Sequence, residues 1–274
     1  MNFFPTYTYS VAELATIFNQ SFEGYIMPAH IDAATFDETF RAVDVDHTVS
    51  FVCEQNGMPV GLLLVSRRGW SARISAMGVV AVARRQGIGR LMMQRAIEEA
   101  RQRSDRVLLL EVIEQNMAAV KLYHELGFET IRRLHGFQQR SATPLARPLV
   151  EIDPLVVVRQ VIAEGDPDLP WQLAGETLRT SAPPMRGFML DETAFALISN
   201  PEDDPIRLQA LVVAREARRC GMGRLMLAAL AAAYPGRAWQ ISPLVPEGPI
   251  TDFVTACGWQ PHPITQLELR MTLS

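Results

Sequence analysis

The sequence predicts an α/β (α+β) chain made of two tandem modules. A glycine-rich turn, Arg84-Arg85-Gln86-Gly87-Ile88-Gly89-Arg90, returns as Arg218-Arg219-Cys220-Gly221-Met222-Gly223-Arg224, 134 residues later (218 − 84). Each copy stands between a strand-like segment and a helix-like one, and this repeated context points to a duplicated unit. The 274 residues, 48% of them hydrophobic, suffice for two cores.

In the first half, Ser10 and Glu13 form a capping box, and Leu14, Ile17 and Phe18 give the following helix its apolar stripe. Phe22 to Pro28 mixes turn residues with aromatics. Asp32, Asp37, Glu38, Asp44 and Asp46 make an acidic run that suits a solvated helix face backed by Phe36, Phe40 and Val43, or the attraction of a cationic amine. Thr48 to Cys53 and Val60 to Ser66 read as strands joined at Asn56-Gly57, a hairpin signal. Ser75 to Val80 reads as a strand end. Leu91 to Gln102 reads as a helix, with Glu99 and Arg103 spaced for an ion pair.

Gly87 and Gly89 therefore fall on a strand-to-helix turn. A helix N-terminus presents unpaired N–H groups and a partial positive charge. Glycine lets a diphosphate approach that backbone without a Cβ in the way, and Arg84, Arg85 and Arg90 add charge beside it. A P-loop would need Gly-Lys-Ser/Thr where Gly89 is followed by Arg90 and Leu91. A dinucleotide fingerprint would need glycine in place of Met92.

Arg106 to Ile113 is an apolar run of strand length, interrupted by Glu111. A helix follows, delimited by Asn116 as N-cap and Gly127 past its C-terminus. Ala119, Leu122, Tyr123 and Leu126 share one face, which turns Tyr123 inward with a hydroxyl in need of a partner. Taken in order, the Arg-x-x-Gly-x-Gly turn, the Leu-Glu-Val strand and Asn-x-x-Ala-x-x-Leu-Tyr-x-x-x-Gly-Phe resemble the GNAT superfamily of acyl-CoA-dependent N-acetyltransferases. The resemblance is close from Val60 to Arg133 and looser over the rest of the first half.

The resemblance implies that each module is a mixed, mostly antiparallel sheet with splayed central parallel strands, flanked by helices. It implies acetyl-CoA as co-substrate, with no metal. Met77 and Val79 would offer main-chain groups to the acetyl and pantetheine parts. Arg84, Arg85, Gln86, Gly87, Ile88, Gly89 and Arg90 would hold the pyrophosphate, and Asn116 would contact the pantetheine arm. Tyr123 would lie near the thioester sulfur, and Glu111 matches the Glu that deprotonates the attacking amine in some relatives. Phe22, Glu23 and Tyr25 would belong to the acceptor wall. The residues suit this chemistry. An alkyl ammonium must lose a proton before it attacks, and a partly desolvated carboxylate can take it. Tyrosine titrates near ~10 and a thiol near ~8.5, so hydrogen bonding alone can assist the leaving thiolate. No Ser/His or Cys/His pairing argues for an acyl-enzyme.

From Gln138 to Pro154 the pattern loosens around Pro144, Pro148 and Pro154, which places the break near 150: residues 1–150 a catalytic module whose last strand is Pro148 to Ile152, residues 151–274 a degenerate one. In the second half Leu155 to Ile162 reads as a strand and Asp168 to Leu178 as a helix with Trp171 and Leu178 inward. Gly187 to Ser199 reads as two strands, Arg207 to Val213 as a strand, Leu225 to Ala233 as a helix and Ala238 to Ser242 as a strand. Aligning Gly258 with Gly127 puts Val254 at the Tyr123 position and Glu247 at the Asn116 position. Pro243, Pro246 and Pro249 interrupt the approach to that helix. The second half thus keeps a cradle and loses the chemistry.

Net charge −4 and the lack of a basic stripe give no reason to expect nucleic acid. Cys53, Cys220 and Cys257 are widely spaced and odd in number, which disfavours a disulfide framework, and no metal-ligand spacing occurs. The first residues lack a signal-peptide pattern and the longest apolar stretch is too short for a bilayer, so a cytoplasmic protein with no membrane partner is expected. The expected partner is a small-molecule or peptide amine acceptor. Expected assembly is a monomer with pseudo-dimeric halves or a homodimer. The alternative functions are a non-catalytic acyl-CoA sensor and an interaction protein.

Overall fold

The computed structural model describes residues 1–27, 30–140, 145 and 147–273; Pro28 and Pro144 lie outside the described residues. The chain forms two compact units, Met1–Ile131 with Leu267–Ser274, and Arg132–Gln266.

The first unit contains strands β1 (Asn2–Pro5), β2 (Phe51–Gln55), β3 (Met58–Arg68), β4 (Ser71–Val79) and β5 (Val107–Ile113), in that order across its sheet. Next to β5 lies the C-terminal strand, β12 (Gln260–Thr272), whose residues from Leu267 belong to this unit. Pairing from β1 to β4 is antiparallel, and β4 runs parallel to β5. The hairpin signal is realised: Asn56 and Gly57 both take positive φ between β2 and β3, as a tight two-residue turn requires. Helix α1 (Val11–Ser21) begins at the Ser10–Glu13 capping box and buries Leu14, Ile17 and Phe18. Helix α2 (Ala33–Ala42) is capped by Asp32, which accepts from the Thr35 N–H at 2.8 Å, and buries Phe36 and Phe40. The acidic run is largely paired within the unit, Asp37 with Arg41, Asp44 with Arg68 and Asp46 with Arg67.

Helix α3 (Ile88–Gln102) and helix α4 (Met117–Glu125) complete the unit. In α3, Glu99 pairs with Arg95 at 2.7 Å, while Arg103, expected to face Glu99, sits at the C-cap and turns to Asp105 at 3.0 Å. The core gathers Met92, Met93, Leu108, Leu110 and Phe128 with Leu269, Met271 and Leu273 from the chain's end. Burying a large aliphatic side chain contributes about 1.5–3 kcal/mol, so those last residues matter to the first unit's stability.

In the second unit the sheet order is β6 (Glu129–Gln139), β11 (Trp239–Pro246), β10 (Ile206–Val213), β9 (Ala194–Ile198), β8 (Arg186–Leu190) and β7 (Val150–Ile152). Strands β10 and β11 are the parallel pair. Helix α7 (Met222–Ala233) follows the second glycine turn, and α8 (Pro249–Ala256) precedes Gly258. Two expectations fail here. Leu155 to Ile162 is not a strand but lies within helix α5 (Pro154–Glu164): the Asp153 carboxylate caps the Leu155 N–H at 2.8 Å and Pro154 occupies the first turn, which outweighs the valine run. Of the helix expected over Asp168 to Leu178, only a single turn, α6 (Gly175–Leu178), is helical, although Trp171 and Leu178 are buried as expected.

The compact units also divide the chain differently from the expected break near 150. Strand β7 pairs with β8 instead of closing the first module, most of β6 belongs to the second unit, and the C-terminal residues return to the first. No described helix is long and apolar enough to cross a membrane.

Candidate active site

Parallel pairing of β4 with β5 runs from Ser71↔Val107 to Ile74↔Leu110 and stops there. On its other edge β4 stays paired with β3 up to Val79, through a bulge that leaves Ser75 as the extra residue. Strands β4 and β5 therefore part beyond Ile74, and the edge of Met77 to Val79 that would face β5 is left without strand partners there. This parting opens a cleft of about 570 Å³, lined by Phe22, Tyr25, Met77, Val79, Glu111, Asn116 and Tyr123 among others, together with the glycine turn.

The turn builds one end of the cleft. Arg85 and Gly87 take φ +64° and +80°, and Gly87 caps the start of α3 with no side chain, so N–H groups of the first helical turn stay open. A Cβ placed on Gly89 would meet Met77, Leu122 and Val79 only at 3.7–3.9 Å, which is ordinary contact. The Arg84 side chain makes contacts that the sequence did not announce. Its Nε donates to the Val79 carbonyl at 2.9 Å, and a terminal nitrogen donates to the carbonyls of Ser21 and Glu23 at 3.2 and 2.6 Å. Arg84 thus straps the end of α1 to the turn. Arg90 pairs with Glu125, Gln86 donates to the Val82 carbonyl, and Arg85 is exposed. Ile88 is buried under the turn.

Close approach of α1 depends on Gly78. A Cβ there would lie 2.8 Å from the Ser21 Cβ and 3.0 Å from the Phe22 ring. Phe22 and Tyr25 line the cleft, whereas Glu23 is exposed and contributes its carbonyl to Arg84. Asn116 caps α4, accepting from the Ala119 N–H at 3.3 Å, and is also hydrogen-bonded to the Tyr25 hydroxyl. Burial raises the Tyr25 hydroxyl above the ordinary tyrosine range, and the Asn116 bond partly offsets this. Tyr123 is only 7% exposed, and burial, with Tyr25 nearby, pushes its hydroxyl far above the ordinary range.

Glu111 is the first β5 residue beyond the paired stretch. Its Oε2 receives Arg73 Nε at 2.8 Å and a second Arg73 nitrogen at 2.6 Å, while Oε1 is buried with no hydrogen-bond partner. Arg73 also donates to Ser75 Oγ at 2.9 Å, and Ser75 bonds Ser66. Arg73, Ser75 and Ser66 went unnoticed in the sequence, where nothing marks which strand residues will face Glu111. Ser21, which also lines the cleft with a buried, unpartnered hydroxyl, was equally silent.

The second unit repeats the frame. Pairing of β10 with β11 covers only Ile206↔Trp239 and Arg207↔Gln240, and β10 bulges at Gln209, between Leu208 and Ala210. Arg219 and Gly221 take φ +61° and +85°, and Arg218 donates to the Val213 carbonyl at 2.9 Å, as Arg84 does to Val79. Since the strap is repeated, it belongs to the fold. The second cleft is larger, about 850 Å³, but Val254 is its counterpart to Tyr123, and Phe253 lies so close that a Cβ on Gly223 would come within 2.9 Å of its ring.

Residues 11–128 match the Acetyltransferase (GNAT) family. The chain is 36% identical over 95 residues to an uncharacterized N-acetyltransferase of Methanocaldococcus jannaschii, a match covering 32% of this chain and 42% of that relative, less than half its length. It is 32% identical over 99 residues to the [ribosomal protein bS18]-alanine N-acetyltransferase of Escherichia coli, covering 35% of this chain and 67% of the relative. In fold it is similar to a tandem GNAT protein from the clavulanic acid biosynthesis pathway, with TM-score 0.69, 18% identity and coverage of 99% and 98% of the two chains. A putative acetyltransferase from Pyrococcus horikoshii gives TM-score 0.65 at 17% identity, covering 97% and 86%.

Proposed function

Because this chain belongs to the GNAT acetyltransferase family and is an N-acetyltransferase, we propose that its first unit transfers acetyl from acetyl-CoA to a primary amine, while the second unit does no chemistry. The observation that carries this is the contrast between repeats. Both units keep the parted strands, the strap and the glycine turn, but only the first surrounds them with Tyr25, Glu111, Asn116 and Tyr123.

The turn from Arg85 to Gly89 receives the pyrophosphate on open N–H groups at the start of α3, with Arg85 and Arg90 adding charge. Main-chain groups of Met77 and Val79 left without a strand partner hold the acetyl and pantetheine parts, beside the Val79 carbonyl that Arg84 already occupies, and Asn116 steadies the pantetheine arm. The acceptor ammonium gives a proton to Glu111. The freed amine attacks the thioester carbonyl; the C–N bond forms, the C–S bond breaks, and the second proton lost by the attacking nitrogen goes to the departing sulfur, which leaves as the CoA thiol. Tyr123 steadies the departing thiolate by hydrogen bonding, and burial keeps its hydroxyl protonated into the alkaline range.

Phe22 and Tyr25 form the acceptor side. The acceptor is an amine on a small molecule or a peptide. The relative named for alanine of a ribosomal protein makes an alanyl peptide the first to try. The test is thiol release from acetyl-CoA with alanyl peptides, polyamines, amino acids and lysine peptides. The reading expects turnover with at least one. Acetyl-CoA binding without turnover on any amine would favour the sensor.

A further inference from the structure

We propose that Arg73 is a positioning residue for the transfer: it occupies Oε2 of Glu111, so that Oε1 is the carboxylate oxygen presented to the acceptor ammonium. The inference rests on Glu111 as the proton acceptor proposed above.

The geometry is specific. Arg73 and Glu111 stand on neighbouring parallel strands where their pairing ends, Arg73 opposite Leu109 and Glu111 one residue past the last pair. Both side chains are buried, 7% and 2% exposed. Two guanidinium nitrogens converge on a single carboxylate oxygen and a third group of the guanidinium is held by Ser75. A planar guanidinium fixed at three points removes the rotational freedom of the carboxylate it binds. Such an arrangement would ordinarily satisfy both oxygens through a fork-to-fork pair. Here Oε1 is left buried without a partner, in a residue that borders the cleft. A buried, unpaired carboxylate oxygen is costly, and a cationic donor in the cleft removes that cost.

The second unit supplies an internal control. Arg73 pairs in register with Leu109, and Arg207 pairs with Gln240, which aligns the two parallel pairs. The counterpart of Arg73 is then Arg207 and that of Glu111 is Ser242. Arg207 is exposed. The repeat that lacks counterparts of Tyr123 and Asn116 therefore also lacks the carboxylate, while the bulge, the strap and the turn persist. The buried ion pair thus travels with the chemistry and not with the fold.

The experiment is steady-state acetyl transfer with acetyl-CoA and whichever primary amine the screen finds best, for wild type, Arg73→Met, Arg73→Lys, Glu111→Gln and the double variant Arg73→Met/Glu111→Gln. Calorimetric acetyl-CoA affinity and thermal unfolding run beside it. Arg73→Met is expected to lower kcat/KM for the amine by roughly tenfold or more, with acetyl-CoA affinity within about twofold. Arg73→Lys should recover part of the loss. The double variant, whose buried pair is neutral and keeps its volume, should match Glu111→Gln within about twofold. Losses that multiply in the double variant, or an Arg73→Met enzyme with full amine kcat/KM, overturn the proposal. Should Arg73→Met fail to fold, the Glu111→Gln and double-variant comparison decides alone. Wild-type activity in Glu111→Gln would instead remove Glu111 from the mechanism, and Arg73 with it.

Discussion

Tyr123 and Glu111 carry different parts of the proposed reaction. Since burial raises the Tyr123 hydroxyl above its ordinary range, this group stays protonated through the alkaline region where a free tyrosine would ionise. Turnover should therefore show no fall near pH ~10 attributable to tyrosine ionisation. Tyr123→Phe should lower kcat roughly tenfold or more while acetyl-CoA affinity, read by calorimetry, changes little; an unchanged kcat removes Tyr123 from the reaction. Glu111→Gln should reduce amine kcat/KM roughly tenfold or more with acetyl-CoA affinity little changed, and full amine kcat/KM in this variant would make Glu111 structural. Much of this site was readable in advance. Helix periodicity put Tyr123 inward, and the cap pattern put Asn116 at the start of α4. Arg73 was not readable, because its partner lies 38 residues away on another strand and only register brings the two together. The strap made by the Arg84 side chain was hidden for a related reason. The sequence shows its charge but not the three carbonyls that accept it.

Among the elements, the contact between α1 and β4 is the most constrained. Gly78 leaves no room for a Cβ beside Ser21 and Phe22. Gly78→Ala should push α1 from β4, lower stability by about 1–3 kcal/mol in denaturant unfolding, and weaken amine selectivity more than acetyl-CoA binding. A variant as stable as wild type would mean that α1 yields without loss. Strand β3, helix α3 and the Asn56-Gly57 hairpin were legible because period, caps and turn residues agree there. Helix α5 was not: its valines favour a strand, and only the Asp153-Pro154 cap announces a helix. The short α6 was overestimated because apolar spacing alone does not require hydrogen-bonded turns. Here Trp171 and Leu178 are buried although most of the segment is not helical.

At the scale of the molecule, duplication was legible from two glycine turns, but the exchange of chain ends was not. Leu269, Met271 and Leu273 fill the first unit's core from the far end of the chain, a pairing that no local pattern signals. Deleting residues 267–274 should consequently unfold or strongly destabilise the first unit, read by loss of protection in hydrogen exchange over β5 and α3; undisturbed protection would show that the strand is dispensable. The division of labour between units is the central claim, and acetyl-CoA titration tests it most directly. Gly89 has ordinary van der Waals room for a Cβ, so Gly89→Glu introduces a carboxylate into the first turn with little strain. Calorimetry on wild type and Gly89→Glu should show acetyl-CoA binding that is lost in the variant, together with all transfer activity. Undiminished binding and turnover in folded Gly89→Glu would contradict the account and move the reaction out of the first unit.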